Sequence, residues 1–249
     1  MIGGIRDAAG HGWGLAVFPL LAAAIALVFA VRLTQRYLGR RRSYEGIWAV
    51  ALFMYAAASF AMFLGVITGW TATEFRVYWL LGAVLNVPYL FLGEVYLLGR
   101  LGWRASAVAV GVTVLMTAFV VIEVWQASMH PTALARALPL GREVFGDGTL
   151  AYRLAQYIAL PAYFLLLAGL VWSTLQMRGN PELRNRMTGT FGIAMGATIV
   201  AIGSGIGAAF HVVPLFSVSL AAGIAVMFWG FVQATRPAVK KATESPVTS

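Results

Sequence analysis

Cysteine is absent from this chain of 249 residues. Disulfides, thiolate nucleophiles, cysteine-held zinc and iron–sulfur clusters are therefore excluded. Charge is scarce as well: 11% of the residues are charged, against roughly a quarter in an average soluble domain. Only 9 acidic residues and 3 histidines are present, which leaves little material for acid–base chemistry or for a metal. Lysine occurs only at Lys240 and Lys241, in the last polar stretch. Long polar segments are also missing, so no part of the chain between apolar runs is large enough to be a soluble domain.

What the chain has is hydrocarbon. Hydrophobic residues make up 60% and the mean hydropathy is +0.81. A helical span needs about 20 apolar residues, and runs of that kind are read seven times, at approximately 13–34, 46–69, 76–99, 104–125, 153–176, 188–210 and 214–234. The runs lack the alternation of barrel strands, and backbone groups in lipid must be satisfied within their own segment. The expected fold is all-α: a single seven-helix transmembrane domain over 1–236, with a short disordered tail at 237–249. The first run is followed by "VRLTQRYLGRRR" rather than by a small-residue cleavage site, and so reads as a retained helix.

Thirteen of the 18 basic residues fall on one side of these spans: between Arg32 and Arg42, at Arg100 and Arg104, between Arg178 and Arg186, and from Arg236 to Lys241. The positive-inside rule then places the amino terminus outside and the carboxyl terminus in the cytoplasm, in a bacterial inner membrane. The whole net charge of +9 lies on the inner side, since acids balance bases on the outer one. The excess is topological, and the partner it implies is an anionic bilayer surface rather than nucleic acid.

The longest connection, roughly 126–152, holds Pro131, Pro139 and a Gly146-Asp147-Gly148 turn, and its 134–145 part is expected to form an amphipathic helix on the outer interface. Spans one and five each carry a proline followed 17 residues later by arginine (Pro19 and Arg36, Pro161 and Arg178). "FRVYWLLG" in span three matches "FSVSLAAG" in span seven. The matching pattern is that of a parallel 3+1+3 repeat with span four as linker.

Gly192, Gly196, Gly203 and Gly207 in span six lie within about 60° of one another on a helical projection. Two stacked G-x-x-x-G units of this kind let a neighbouring backbone approach closely, and Gly223 of span seven is the expected neighbour within the chain. Ser204 and His211 are seven residues apart, about 10 Å along a straight helix, too far for a nucleophile and its base. His11, His130 and His211 are scattered at the outer edge, so neither a metal nor a haem is expected, and no cofactor is assigned.

Span three carries the polar interruptions. In "LNVPYLFLGEVYLL", Asn86 and Pro88 fall near mid-depth and Glu94 lies roughly 10 Å toward the inner side. Tyr78, Gly82, Asn86, Tyr89, Gly93 and Tyr96 project to one small-and-polar face. Asn86, Pro88, Tyr89 and Glu94 are the candidate ligand-binding residues. An isolated carboxylate at that depth is neutral, paired or beside water. Two readings are open: an ion pair of Glu94 with Arg32 that locks spans one and three, or a titrating or cation-binding Glu94 in a cavity.

The stretches "YWLLGAVLNVPYLFLGE", "PELRNR" and "PLFSVSLAAGIAVMFWGF" resemble a group of uncharacterised bacterial seven-span membrane proteins, a resemblance that brings no activity with it. Microbial rhodopsins share the length and orientation but place a retinal lysine in the seventh helix, where this chain has none. G-protein-coupled receptors are excluded by the absence of an acidic-Arg-aromatic triplet closing span three. The sequence therefore predicts a transporter or channel-like carrier of a small solute, with its site on span three. The alternative is a non-catalytic membrane subunit or sensory module that docks a homo-oligomeric or other membrane partner through the glycine stripe and basic loops. No catalytic residues are expected.

Overall fold

The computed structural model describes residues 3–99, 102–210 and 212–236, with side chains from Ala16 onward except that of Pro181. His211 and the tail 237–249 lie outside these residues, as does the His11 side chain. Among the described residues, seven helices are long and apolar enough to cross a membrane: α1 (Gly3–Arg40), α2 (Ser43–Thr68), α3 (Ala72–Leu98), α4 (Trp103–Gln126), α5 (Leu150–Gln176), α6 (Arg184–Ala209) and α7 (Val213–Ala234). No strand occurs among the described residues. The protein is an integral membrane helix bundle.

Two of the helices are not regular. The seven residues Trp79–Leu85 of α3 and the five residues Ala155–Ala159 of α5 are π-helical. Each π stretch ends just ahead of a proline, Pro88 and Pro161. A proline ring clashes with the carbonyl four residues before it and offers that carbonyl no N–H, and widening the preceding turn relieves both problems. The start of α3 is fixed independently by a capping box. The Thr71 hydroxyl accepts from the Glu74 N–H, and the Glu74 carboxylate accepts from the Thr71 N–H at 2.9 Å.

Six helices close a ring in the order α1, α2, α3, α5, α6, α7, and α7 returns to α1. α4 stands outside the ring, touching the π stretch of α3 and the start of α5. One end of the bundle, the basic end, carries the turns α1–α2, α3–α4 and α5–α6 and most of the arginines. The opposite end, the loop end, carries the 127–149 connection.

The 127–149 connection does not form the expected amphipathic helix over 134–145. It folds as a 3₁₀ turn at Pro131–Ala135 and a five-residue helix at Gly141–Phe145. Pro139 interrupts any helix between them, because its fixed φ biases the residue before it toward extended backbone. Leu138, Leu140, Val144 and Phe145 turn inward and are buried. The connection is fastened to the start of α3: the Trp70 indole donates to the Ala137 carbonyl at 3.2 Å, and Arg76 donates to the carbonyls of Val124 and Ala127. Phe75, Trp79, Phe145 and Tyr152 stack beneath it. The result is a packed roof over the ring.

Candidate ligand cavity

Beneath that roof lies a cavity of about 930 Å³, walled by α2, α3, α5, α6 and α7. Both π stretches face it and touch each other. This arises from their geometry, since a widened turn sets the backbone further from the helix axis and shifts the phase of the residues after it. Tyr78, Gly82 and Asn86 therefore run along the cavity wall as a continuous line.

The polar face expected on α3 is divided. Asn86 is 4% exposed; its Nδ2 donates to the Ala51 carbonyl of α2 at 2.6 Å, so it lines the cavity and also ties two helices. Tyr89 is turned away, with its hydroxyl 3.0 Å from the Thr117 hydroxyl of α4. Tyr96 likewise donates to the Ser106 carbonyl, and Gly93 seats the Trp48 indole of α2. Pro88 is buried behind the wall, and its part is to set the π stretch rather than to touch an occupant.

Glu94 is 1% exposed, and neither of its oxygens has a hydrogen-bond partner. It faces α5 at Gly169, where a side chain would stand 3.1 Å from its Cγ. The expected pair with Arg32 is not formed: Arg32 is exposed on the far side of α1. A ring intervenes, because α1 meets α2 and α7 while α3 meets α2 and α5; equal depth along two helices does not make them neighbours. The buried acid that does have an arginine is Glu45, whose Oε1 accepts from Arg36 Nε at 3.1 Å. Arg36 also lies over the Phe231 ring of α7, so this pair joins α1, α2 and α7.

Several residues of the wall were not singled out from the sequence. Tyr55 crosses from α2 to donate to the Leu220 carbonyl of α7 at 3.0 Å, and Tyr163 of α5 donates to the Thr198 hydroxyl of α6 at 3.3 Å. Arg142, in the roof, is the one charged residue lining the cavity among the described residues. Ser204 lines it too, with its hydroxyl bonded back to the Val200 carbonyl of its own helix. A pattern that marks the α6 wall was present: Ala197, Ala201, Gly205 and Ala208 recur at helical spacing on the side opposite the glycine stripe.

The glycine stripe itself lies against α7. Gly196 meets the Gly223 carbonyl and Met227, Gly192 meets Gly230, Gly203 meets Ser219 and Gly207 meets Phe216. Backbone therefore rests on backbone along most of this pair. The stripe is occupied within the chain, and it does not supply a docking face for another protein.

Toward the basic end the cavity is shut by an apolar layer of Leu52, Leu90, Leu166 and Met227. Below that layer is a void of about 20 Å³, walled by Phe29, Leu33, Trp48 and Leu170 among others. Such a space is no larger than a water molecule requires, and its lining gives water nothing to bind. No cluster of three or more metal-ligating side chains occurs among the described residues. No known protein family, curated protein or solved structure matches the chain.

Proposed function

We propose that this protein is a carrier of a small solute held in the cavity over Asn86, with the loop end outside and the basic end in the cytoplasm of a bacterial inner membrane. The observation that carries the reading is the asymmetry of the cavity: about 930 Å³ on the loop side of Asn86, and a dry apolar layer on the other. A site near the bilayer midplane, open to one side at a time and lined by irregular helices, is what alternating access requires. The excess of arginine at the basic end supports the orientation. The six-helix ring with α4 outside it is compatible with a 3+1+3 repeat, in which α4 is the linker. Of the four candidate residues, Asn86 supplies a contact and Pro88 the widened turn, while Tyr89 bonds to α4 and Glu94 faces α5 without a hydrogen-bond partner.

The test is ligand-dependent stability in nanodiscs followed by flux in liposomes. A solute that occupies the cavity raises Tm by mass action and moves across the bilayer. Ala83→Trp, which fills the cavity from α3, removes both effects without lowering the basal Tm. A Tm shift that survives Ala83→Trp, or a bound solute that never crosses, counts against a carrier.

A second reading, a membrane subunit that docks a second copy or another membrane protein, has one observation in its favour. α4 stands outside the ring, bonded to α3 through Tyr89 and Tyr96, and leaves Val108, Val112, Leu115 and Phe119 on the bundle surface. Native mass spectrometry from mild detergent decides it, and a chain released alone and monodisperse removes this reading.

A further inference from the structure

The cavity is not enclosed on all sides. Between α5 and α6 its wall is made of residues that also lie on the outer surface of the bundle: Leu160, Phe164 and Ile202 are 52%, 58% and 55% exposed. Gly205 and Ala209 stand beside them, and nothing lies within 4 Å of where a Gly205 side chain would be. The two helices are joined nearer the basic end, at Tyr163 and Thr198 and at the Leu166, Leu170 and Ala194 cluster. The gap therefore opens sideways, at a depth where the surrounding solvent is hydrocarbon.

We propose that the cavity binds an anionic amphiphile with a single acyl chain, which enters from the bilayer between α5 and α6. Its head group is held at Arg142 and its chain runs toward Asn86. The inference rests on reading the cavity as a ligand site and names the class of ligand. Three observations point the same way. The wall is predominantly apolar, and its one charge, Arg142, sits in the roof, at the level where a lipid head group lies. From Tyr78 to Leu90 the cavity follows α3 for about 18 Å at 1.5 Å per residue, close to the roughly 15 Å of hydrocarbon in one leaflet. Its volume is at the upper end of what a drug-sized ligand fills, and a two-chain phospholipid exceeds that size. Arg142 is exposed, so its guanidinium is free to turn toward a head group carboxylate or phosphate.

A diazirine analogue of palmitic acid, photolysed in proteoliposomes and mapped by peptide mass spectrometry, tests this. Adducts are expected on 155–164 and 197–209 at several times the level on α4, the helix most exposed to lipid, and excess palmitate should suppress only the former. Arg142→Gln should weaken the competition by about tenfold, the effect of losing one charged contact. Gly205→Trp, placed where there is open space, should remove the cavity adducts while Tm and gel-filtration profile stay those of the parent. Ala209→Trp repeats the block from the next turn. Labelling no stronger than on α4, or unchanged by the Gly205 and Ala209 substitutions, overturns the proposal. Saturable labelling without movement of palmitate between leaflets removes the carrier reading and leaves this site standing. A water-soluble solute that crosses but gives no protection against the label does the reverse.

Discussion

Helix α6 has two long faces of small residues, and they do opposite things. On one, Gly192, Gly196, Gly203 and Gly207 lie against α7 with backbone on backbone. On the other, Ala197, Ala201, Gly205 and Ala208 border a cavity of about 930 Å³ that separates α6 from α5. The residue sizes are nearly the same. What differs is the opposing helix: α7 presents Gly223 and Gly230 to the first face, whereas α5 turns its π stretch to α3 and reaches α6 through the bulky Tyr163 and Leu166 side chains. In lipid there is no hydrophobic penalty for an apolar face left unpacked against protein, so a small-residue face closes only where a matching one meets it.

The sharpest way to break this comparison is to enlarge one glycine on each face. Gly196→Leu places atoms where the Gly223 carbonyl and the Met227 backbone already are. Neither can yield without parting the helices, so a loss of about 3 kcal/mol is expected. Gly205→Leu meets nothing and is expected to change stability by less than about 0.5 kcal/mol. Equal effects in a chemical or thermal unfolding series in detergent would dissolve the distinction between the two faces.

The two buried acids at the basic end make a second pair. Glu45→Gln breaks the contact with Arg36 and leaves that guanidinium without its carboxylate. Because the Arg36 side chain keeps 26% exposure, the expected cost is discounted to about 1–2 kcal/mol. Glu94→Gln removes an acid that has no hydrogen-bond partner, so it should be neutral or slightly stabilising, within about 1 kcal/mol. Combining Glu94→Gln with Arg32→Gln should be additive, because the two residues do not meet; a double mutant that recovers stability would restore the direct pair.

Smaller effects probe the cavity wall. Asn86→Ala removes the bond to the Ala51 carbonyl and should cost about 1 kcal/mol, together with a loss of ligand-induced Tm shift. Tyr163→Phe removes the longer contact to Thr198 and should cost no more than about 0.5 kcal/mol. Its informative readout is photolabelling across the α5–α6 gap, which should rise as the lower clasp loosens.

Much of the architecture is legible in the residues alone, and the limits have physical causes. The seven spans are set by the length of hydrocarbon a helix must cross, a property of the chain alone; six of them fall within four residues of the expected bounds, and α1 runs longer than expected. Depth is readable as well: Asn86 does lie midway along α3. Direction around the helix is read less well. Tyr89 and Tyr96 project within about 80° of Asn86 on a regular helix, but that spread is enough to turn Asn86 to α2 and the tyrosines to α4. Glu94 draws notice because it interrupts an apolar run, while Glu45, beside "RRRSY", reads as a loop charge. Both are buried, and the less conspicuous one holds the ion pair.

The sequence by itself determined the class of protein and the number of spans. Each of these depends on residues close together along one helix and on the solvent around it. Only the tertiary structure decided that the glycine face of α6 is closed and its alanine face open, that Glu45 rather than Glu94 has an arginine, and that the wall reaches lipid between α5 and α6. Those outcomes depend on which helix stands opposite which face, and helical periodicity describes each helix's own faces without naming their neighbours.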